Sequence, residues 1–395
     1  MAKKYEYGDL EKELDIQNFV ESVKEGFCEV PDPRRSANQL YPLMHLIVII
    51  LCAIIAGANS ITAIHQYAKL KIDLLNHLLG LTKAPSYAVF WWLLVRMRPE
   101  RLQKAFTKWT TGLPEEIQAK LIAIDGKHLR GLLGDRGGHL VSAWDSSKGI
   151  LLGQVKVEEK SNEITAIPEL LTMIDVKGAT VTIDAARCQK NIAKQVVENG
   201  ENYILALKGN QETLHREAKN FFIQARDIGF TEDTHCEIAK TLGKGHGRTE
   251  EREIVITNNL DWLDEEDRRK WCGLESLIEV TSIRAMKGKE TKEKRYYISS
   301  CKWSVEELGR GIRGHWSIEN HLHWMMDVVF LEDASQANLG HAAENLAMFR
   351  RMALALIKED IGGTVGVAAQ RRAAMWDDKH ALRILAKLFR QGKSF

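Results

Sequence analysis

The chain has 395 residues and a formal net charge of +2 at pH 7, with 45% hydrophobic and 27% charged residues. This composition excludes a disordered or fibrous protein, and the length suffices for two or three domains. Because the net charge is small, any binding of nucleic acid has to come from local basic patches.

Three features of the sequence predict a cytoplasmic protein without a membrane partner. The initial stretch "MAKKYEYGDLEKELD" shows no signal-peptide pattern. The six cysteines form no CxxC pair, which favours a reducing compartment over a disulfide framework or a cysteine zinc site. The apolar run at residues 46–58 is too short to span a bilayer comfortably, so a buried core helix is the better interpretation.

Residues 1–115 form the first predicted domain, which is all-helical. Its apolar runs are broken near Pro31 and at Pro85. The stretch "AIIAGANSITAIHQYAKL" predicts a helix, a turn containing Gly57 and a second helix, which is the outline of a DNA-binding helix-turn-helix. A plain helical bundle gives the same pattern and is slightly favoured.

Residues 116–228 show a different periodicity and predict the first part of an α/β core. The apolar run "KLIAIDGK" ends in Asp125, and two strands then flank a turn at residues 145–149. After the helical stretch "SNEITAIPELLTMI", the β-branched strand "ATVTIDAA" ends in Asp184, and a helix, a strand and a helix follow. Three meandering strands followed by a crossover to a parallel fourth are the order of a ribonuclease-H-like fold.

The last two predicted segments are an insertion and the completion of the core. Residues 229–302 are β-rich and charged, and we expect them to form an inserted β subdomain. Helical character returns with "SVEELGRGIRGHWSIEN", so residues 303–395 are expected to complete the core with further helices.

The stretch "IRGHWSIENHLHWMMDVVFLED" has helical apolar spacing but carries Glu319 among histidines. An α-helix at ~100° per residue places Glu319 near the middle of an apolar arc, with His315 and His323 one turn away on either side. The apolar residues of this arc are Ile312, Trp316, Leu322, Met326, Val329 and Phe330. Since a bare buried carboxylate costs several kcal/mol, Glu319 must be paired, protonated or bound to a metal. A Glu–His pair within a helix core explains this segment equally well.

Asp125 and Asp184 each stand at the carboxyl end of an apolar strand, just before a small residue. Each alone is better explained as a strand-end turn residue. If the two strands are parallel neighbours, both carboxylates point into one crevice, and their repulsion implies shared protonation or a bound cation. Neither has an obvious basic residue beside it in sequence except Lys127. With Glu319, the three oxygen ligands suit Mg²⁺ or Mn²⁺, and two such ions ~3.5–4 Å apart would support phosphoryl transfer.

An ordered set of motifs between about residues 122 and 356 resembles the DDE transposases of the H-repeat-associated, ISAs-type insertion-sequence family. The matching segments are "AIDGKHLRG", "KSNEITAIPELL", "TIDAARCQ", "YILALKGNQ", "HGRTEER", "YYISS", "IRGHWSIENHLHWMMDVVFLED" and "AAENLAMFRRMAL". The stretch "VPDPRR", followed by "YPLMHLI", is similar to the family's helical N-terminal domain.

The resemblance implies a ribonuclease-H-like core with a β insertion, and Asp125, Asp184 and Glu319 as a metal-binding catalytic triad that holds two Mg²⁺ or Mn²⁺ ions. It implies cleavage at the ends of an insertion element and transfer of the freed 3′-hydroxyl to target DNA. The partners would be double-stranded DNA, as terminal inverted repeats and target, and a second copy of the chain, because two ends must be handled together. We expect the protein on DNA to be associated with the nucleoid.

The sequence departs from the hairpin-forming relatives, which carry Tyr, Arg and Lys at the positions of Ile312, His315 and Met326. This puts a hairpin intermediate in doubt. Candidate DNA-binding residues near the predicted crevice, in the insertion and on the Glu319 helix are Lys127, Arg130, Lys208, Asn210, His246, Arg248, Arg313, His315, Asn320 and His323. The basic stretch at residues 284–295 either follows a DNA backbone or forms a solvated hairpin turn.

Two other functions stay open at this point. His315, Glu319 and His323, spaced four residues apart, could hold Zn²⁺ in a hydrolase, although this leaves both aspartates unexplained. The chain could also be an immobile, DNA-binding descendant of a transposase.

Overall fold

The computed structural model describes residues 16–35, 39–111, 121–128, 139–157, 163–174, 177–245, 248–286, 289–360 and 365–386. Within these ranges the protein is mixed α/β, so the predicted α/β class is confirmed. No helix in the described part of the chain is long and apolar enough to cross a membrane.

The helices precede, alternate with and follow the strands. They are α1 (Ile16–Phe27), α2 (Leu43–Ile55), α3 (Ile61–Leu70), α4 (Ile72–Leu79), α5 (Tyr87–Arg96), α6 (Pro99–Thr111), α7 (Glu163–Met173), α8 (Lys190–Glu198), α9 (Glu212–Asp227), α10 (Glu265–Arg269), α11 (Val305–Ile318), α12 (Trp324–Val328), α13 (Ala342–Asp360), α14 (Val367–Trp376) and α15 (Asp378–Ala386). A π-helical segment, Glu319–His323, joins α11 to α12.

Nine strands of the described chain form one sheet. They are β1 (Leu121–His128), β2 (His139–Asp145), β3 (Ile150–Val157), β4 (Thr180–Ile183), β5 (Asn202–Leu207), β6 (Cys236–Gly245), β7 (Arg248–Thr257), β8 (Ser276–Met286) and β9 (Lys289–Ser299). Their order across the sheet is β3-β2-β1-β4-β5-β9-β8-β7-β6. The first three strands are antiparallel, whereas β4 and β5 run parallel to β1. The meander followed by a parallel fourth strand is therefore the order predicted from the sequence.

The four strands of the predicted insertion extend this sheet. Residues 204–207 of β5 pair antiparallel with residues 296–299 of β9, so β6 to β9 continue the core sheet edge to edge. The two faces of the sheet are covered differently because successive side chains of a strand point to opposite sides. Helices α7, α8 and α9 cover one face, and α11 packs on the other.

The helices before and after the sheet share one hydrophobic core. Helix α2 is buried along most of its length, as predicted for the apolar run at residues 46–58, and it packs against α13 and α3. Gly57, with φ +98°, closes the turn before α3 in a conformation that disfavours other residues. Because this core also contains side chains of α12 to α15, it joins both ends of the chain. The division of the chain at residues 115, 228 and 302 stays a prediction.

Candidate active site

The two predicted aspartates lie at the ends of neighbouring parallel strands. Ile124 of β1 is in register with Ile183 of β4, so the next residues, Asp125 and Asp184, occupy corresponding positions at one edge of the sheet. Asp125 is buried, whereas the Asp184 side chain is 44% exposed. The carboxylate of Asp184 accepts a hydrogen bond of 2.9 Å from the Ala186 backbone N–H, which orients it.

Arg187 joins these carboxylates, and the sequence reasoning missed it. Its guanidinium Nη1 lies 2.6 Å from Asp125 Oδ1 and 3.2 Å from Asp184 Oδ1. It also donates to the carboxylate of Glu163. The arginine side chain is only 9% exposed. Its position three residues after Asp184, on a short 3₁₀ turn, is the one local signal that could have indicated this contact.

Glu163, in the first turn of α7, is a fourth carboxylate at this edge and was not predicted as a site residue. Its Oε1 lies 3.0 Å from His139 Nδ1, while its other oxygen bonds Arg187. A Cβ on Gly126 would overlap the Glu163 carboxylate and the Arg187 guanidinium. The glycine after Asp125 therefore lets the Glu163–Arg187 pair pack directly on β1.

Glu319 is exposed, so its predicted place in the apolar arc is wrong. Ile318 is buried in its stead, together with Leu322 and Met326. The physical reason is that the helix changes its core partner: Leu308 and Ile312 pack on the sheet, whereas Ile318 and Leu322 belong to the core shared by the helices, so the buried side no longer includes Glu319. The π-helical segment begins at this residue. The exposed carboxylate belongs to the same electrostatic environment as the two aspartates.

The pKa shifts show this proximity. Burial raises the pKa of Asp125 to about 6, the Arg187 guanidinium opposes the shift, and the charges of Asp184 and Glu319 add to it. Burial also raises the pKa of Glu319, which the charge of Arg295 counteracts and that of Asp184 reinforces. The charge of Asp184 thus disfavours ionisation of both Asp125 and Glu319 at one edge of the sheet.

The two histidines flanking Glu319 are neutral side chains that face the aspartates. Burial lowers the pKa of His315 to about 4, and its Nδ1 lies 3.0 Å from Thr182 Oγ1. Burial, reinforced by the charges of Arg351 and Lys127, lowers the pKa of His323 to about 3. Its Nδ1 lies 3.6 Å from Asp125 Oδ2.

Lys127, predicted to contact DNA, is instead buried among acidic residues in this structure. Its ammonium pairs with Asp327 and lies 3.1 Å from Glu332 Oε2. Arg351 lies 2.6 Å from the other oxygen of Glu332, and both of these side chains are buried. Burial opposes ionisation, yet the charges of Arg351 and Lys127 hold the pKa of Glu332 at about 2. This network ties β1 to α13 and to the segment that follows Glu319.

The other predicted DNA-binding residues lie in different surroundings. Lys208 is exposed, and Asn210 donates a hydrogen bond of 2.8 Å to the Ala185 carbonyl, beside Asp184. Arg313 and Asn320 are exposed on α11 and the π-helical segment. Arg130, His246 and the side chain of Arg248 lie outside the described residues.

The donor chemistry of this site suits a hard divalent cation, because carboxylate oxygens are the ligands that Mg²⁺ and Mn²⁺ prefer. In the present arrangement the Arg187 guanidinium supplies the positive charge between the two aspartates. The pKa of Asp125 stays raised because its burial outweighs the stabilising charge of Arg187. Within the described residues, no three of the His, Cys, Asp and Glu side chains are arranged as metal ligands, and this covers both Asp125, Asp184 and Glu319 and the histidines and glutamate considered for Zn²⁺.

The family models and the curated relatives agree on one family. Residues 116–356 match the family model described as "Transposase DDE domain", and residues 24–110 match its associated domain, "DDE_Tnp_1-associated". The chain is 34% identical to "Putative transposase YncI" of Escherichia coli O157:H7, over 93% of this chain and 95% of that protein. It is 31% identical to "H repeat-associated putative transposase YhhI" of Escherichia coli K12, over 93% of this chain and 98% of that protein. A solved piggyBac transposase synaptic complex with hairpin DNA has a TM-score of 0.41 and 12% identity, covering 93% of this chain and 77% of that chain.

Proposed function

The chain belongs to the DDE transposase family, and on this premise we propose that it cuts DNA at the ends of an insertion element and joins the 3′-hydroxyl to target DNA. The resemblance to the H-repeat-associated transposases drawn from the motifs is thereby confirmed. The observation that carries the proposal is the convergence of Asp125, Asp184 and Glu319: the charges of Asp184 and Glu319 help to raise the pKa of Asp125, and the charge of Asp184 helps to raise that of Glu319.

The strand order supports a ribonuclease-H-like catalytic core. Its first five strands, in the order β3-β2-β1-β4-β5, bring the ends of β1 and β4 together, and α11 approaches from the opposite face to α7 to α9. In this proposal the core supplies two rigid carboxylates from the sheet and one from the helix. Strands β6 to β9 extend it sideways towards the substrate.

Asp125, Asp184 and Glu319 would hold two Mg²⁺ or Mn²⁺ ions. When bound, these ions would lower the pKa of the attacking water and stabilise the leaving oxygen. The protein's own residues fix the geometry: the Ala186 N–H orients Asp184, and Arg187 holds Asp125 in place. Such positioning and charge neutralisation account for most catalysis in phosphoryl transfer.

His315 and His323 act as positioning residues in this proposal. His315 bonds Thr182 of β4 and is neutral at physiological pH, so it fixes α11 against the strand that leads to Asp184 without adding charge. Lys127 has the same kind of role, because its ammonium is already bonded to Glu332 and Asp327.

The substrate in this proposal is double-stranded DNA, both the terminal inverted repeats and the target. Among the candidate contacts that the structure describes, Arg313, Asn320 and Lys208 have exposed side chains, and Asn210 borders the Asp184 turn. Arg130, His246 and Arg248 remain proposed contacts. Two element ends must be joined in one reaction, so we propose that the protein acts as a dimer on DNA.

A mobilisation assay tests this function. A selectable marker is placed between the gene's native flanking sequences, the protein is supplied in trans, and insertions are counted for wild type, Glu319→Gln and the control Glu217→Gln. Glu217 lies on α9, on the opposite face of the sheet. Movement with wild type and the control, but none with Glu319→Gln, supports the proposal. Equal movement with all three proteins would overturn the triad.

A further inference from the structure

A groove with a volume of about 690 Å³ runs between the β6–β9 part of the sheet and α11. On one side it is lined by side chains of β7, β8 and β9, and on the other by α11 from Glu306 onwards. It ends at Glu319 and Asn320, so it opens directly onto the candidate active site. The sequence reasoning treated these strands only as an insertion and did not identify this groove.

The groove is basic. Its lining contains five arginines, against Glu250 and Glu306 along its length and Glu319 at its end. Two of the arginines share Glu250, with donor–acceptor distances of 2.8 and 2.9 Å. By contrast, Arg310 and Arg313 are exposed, lie one turn apart on α11, and have no ion-pair partner among the residues that the structure describes. Two guanidinium groups are thus available to an anion from outside.

The same groove contains an aromatic and a planar cationic surface. The Arg295 guanidinium lies 4.7 Å from the ring centroid of Trp316, and Tyr297 also lines the wall. Guanidinium planes and indole rings both stack on nucleobases. A basic groove with such a platform has the chemistry of a site for single-stranded nucleic acid.

We propose that this groove binds one or two unpaired nucleotides of the DNA strand next to the bond being cut. This inference rests on the proposed function. Arg310 and Arg313 contact consecutive phosphates, and a base packs against the Arg295–Trp316 pair. The volume of about 690 Å³ falls within the ~300–1,000 Å³ of ligand pockets, which suits one or two nucleotides.

Fluorescence anisotropy in EDTA, without catalysis, tests the proposal. The probes are a labelled blunt duplex and the same duplex with three unpaired thymidines at one 3′ or 5′ end. Wild type is expected to bind a tailed duplex more tightly, and Arg310→Gln/Arg313→Gln to remove this preference. Losing two phosphate contacts should reduce the slope of log K against log salt by about 1.4, at ~0.7 per phosphate for single strands. The control Arg216→Gln/Lys219→Gln, on the opposite face of the sheet, should bind like wild type.

A second comparison isolates the stacking contact. Trp316→Leu should weaken binding of the tailed duplex about tenfold, in line with base–aromatic stacking. The effect should disappear when the tail is abasic, which a folding defect would not produce. Equal binding of blunt and tailed duplexes by wild type, or an unchanged salt slope in the double arginine variant, would overturn the proposal. Tail binding without mobilisation would refute the proposed function alone, and mobilisation without tail preference would refute the groove alone.

Discussion

Removing the guanidinium of Arg187 is the most informative single perturbation of the candidate site. In Arg187→Met, Asp125 and Glu163 lose their shared partner, while Asp184, being 44% exposed, keeps its water. We expect the free energy of unfolding to fall by about 3 kcal/mol at pH 7.5 in EDTA. The following terms give this magnitude.

Asp125 can avoid an uncompensated charge by binding a proton. Its pKa is already about 6 in the folded protein, so protonation at pH 7.5 costs about 2 kcal/mol, at 1.36 kcal/mol per unit. The lost hydrogen bond to Glu163 adds about 1 kcal/mol. Because the folded pKa lies above the ordinary value of 3.8, the contribution of Asp125 to stability is present at low pH and lost as pH rises through about 6. The deficit of the variant should therefore shrink to about 1 kcal/mol at pH 5.

Urea denaturation followed by tryptophan fluorescence, with and without Mn²⁺, measures both effects. We expect Mn²⁺ to stabilise Arg187→Met more than wild type, since the cation no longer has to displace the guanidinium. The matched control is Arg226→Met, which removes a guanidinium bonded at 2.6 and 2.5 Å to Glu253 and Glu279 on the extension of the sheet. The loss of stability in Arg226→Met should be the same with and without Mn²⁺.

Two results would refute this reasoning. If Arg187→Met is as stable as wild type in EDTA, the guanidinium does not hold the carboxylates together. If Mn²⁺ stabilises wild type and Arg187→Met equally, the cation does not share the carboxylates that Arg187 occupies.

Three further substitutions test the packing around the site. Glu332→Gln should lower the free energy of unfolding, measured by urea denaturation, by about 3–5 kcal/mol, because it leaves the buried charge of Arg351 without its charged partner. An unchanged urea midpoint would contradict a stabilising role of the Lys127–Glu332–Arg351 network. Burial lowers the pKa of Lys358 from 10.5 to about 8, so the buried lysine destabilises the fold increasingly as pH falls from 10.5 to 8. Lys358→Met should therefore raise stability by about 3 kcal/mol at pH 7 but not at pH 10.5. Thermal melts at the two pH values measure the change in stability, and an equal increase at both would refute the destabilising role of the lysine charge. Gly126→Ala should lower the free energy of unfolding by about 1–3 kcal/mol, because the new Cβ would overlap the Glu163 carboxylate. Gly209→Ala, whose Cβ would lie in open space, should lower it by less than about 1 kcal/mol.

The order of the strands and two members of the proposed triad could be read from local sequence. Apolar runs and alternation set β1 to β5, and the aspartates follow from the points where β1 and β4 end. The four strands of the predicted insertion were also recognisable by their pattern. Their pairing with β5 was not, because an edge-to-edge contact between distant strands leaves no periodicity in either of them.

The sequence by itself determined the α/β class, the family and the carboxylates Asp125 and Asp184 at the strand ends, because local patterns and ordered motifs encode them. Only the tertiary structure placed Arg187 between those carboxylates, with Glu163 bonded to it, and only it showed that Glu319 is exposed where the π-helical segment begins. The reason is that the partner of a buried charge is the group that the fold brings next to it, and short-range sequence patterns do not encode that contact. Residues 24 and 62 positions apart in sequence meet here because a sheet edge and a helix start converge on one point.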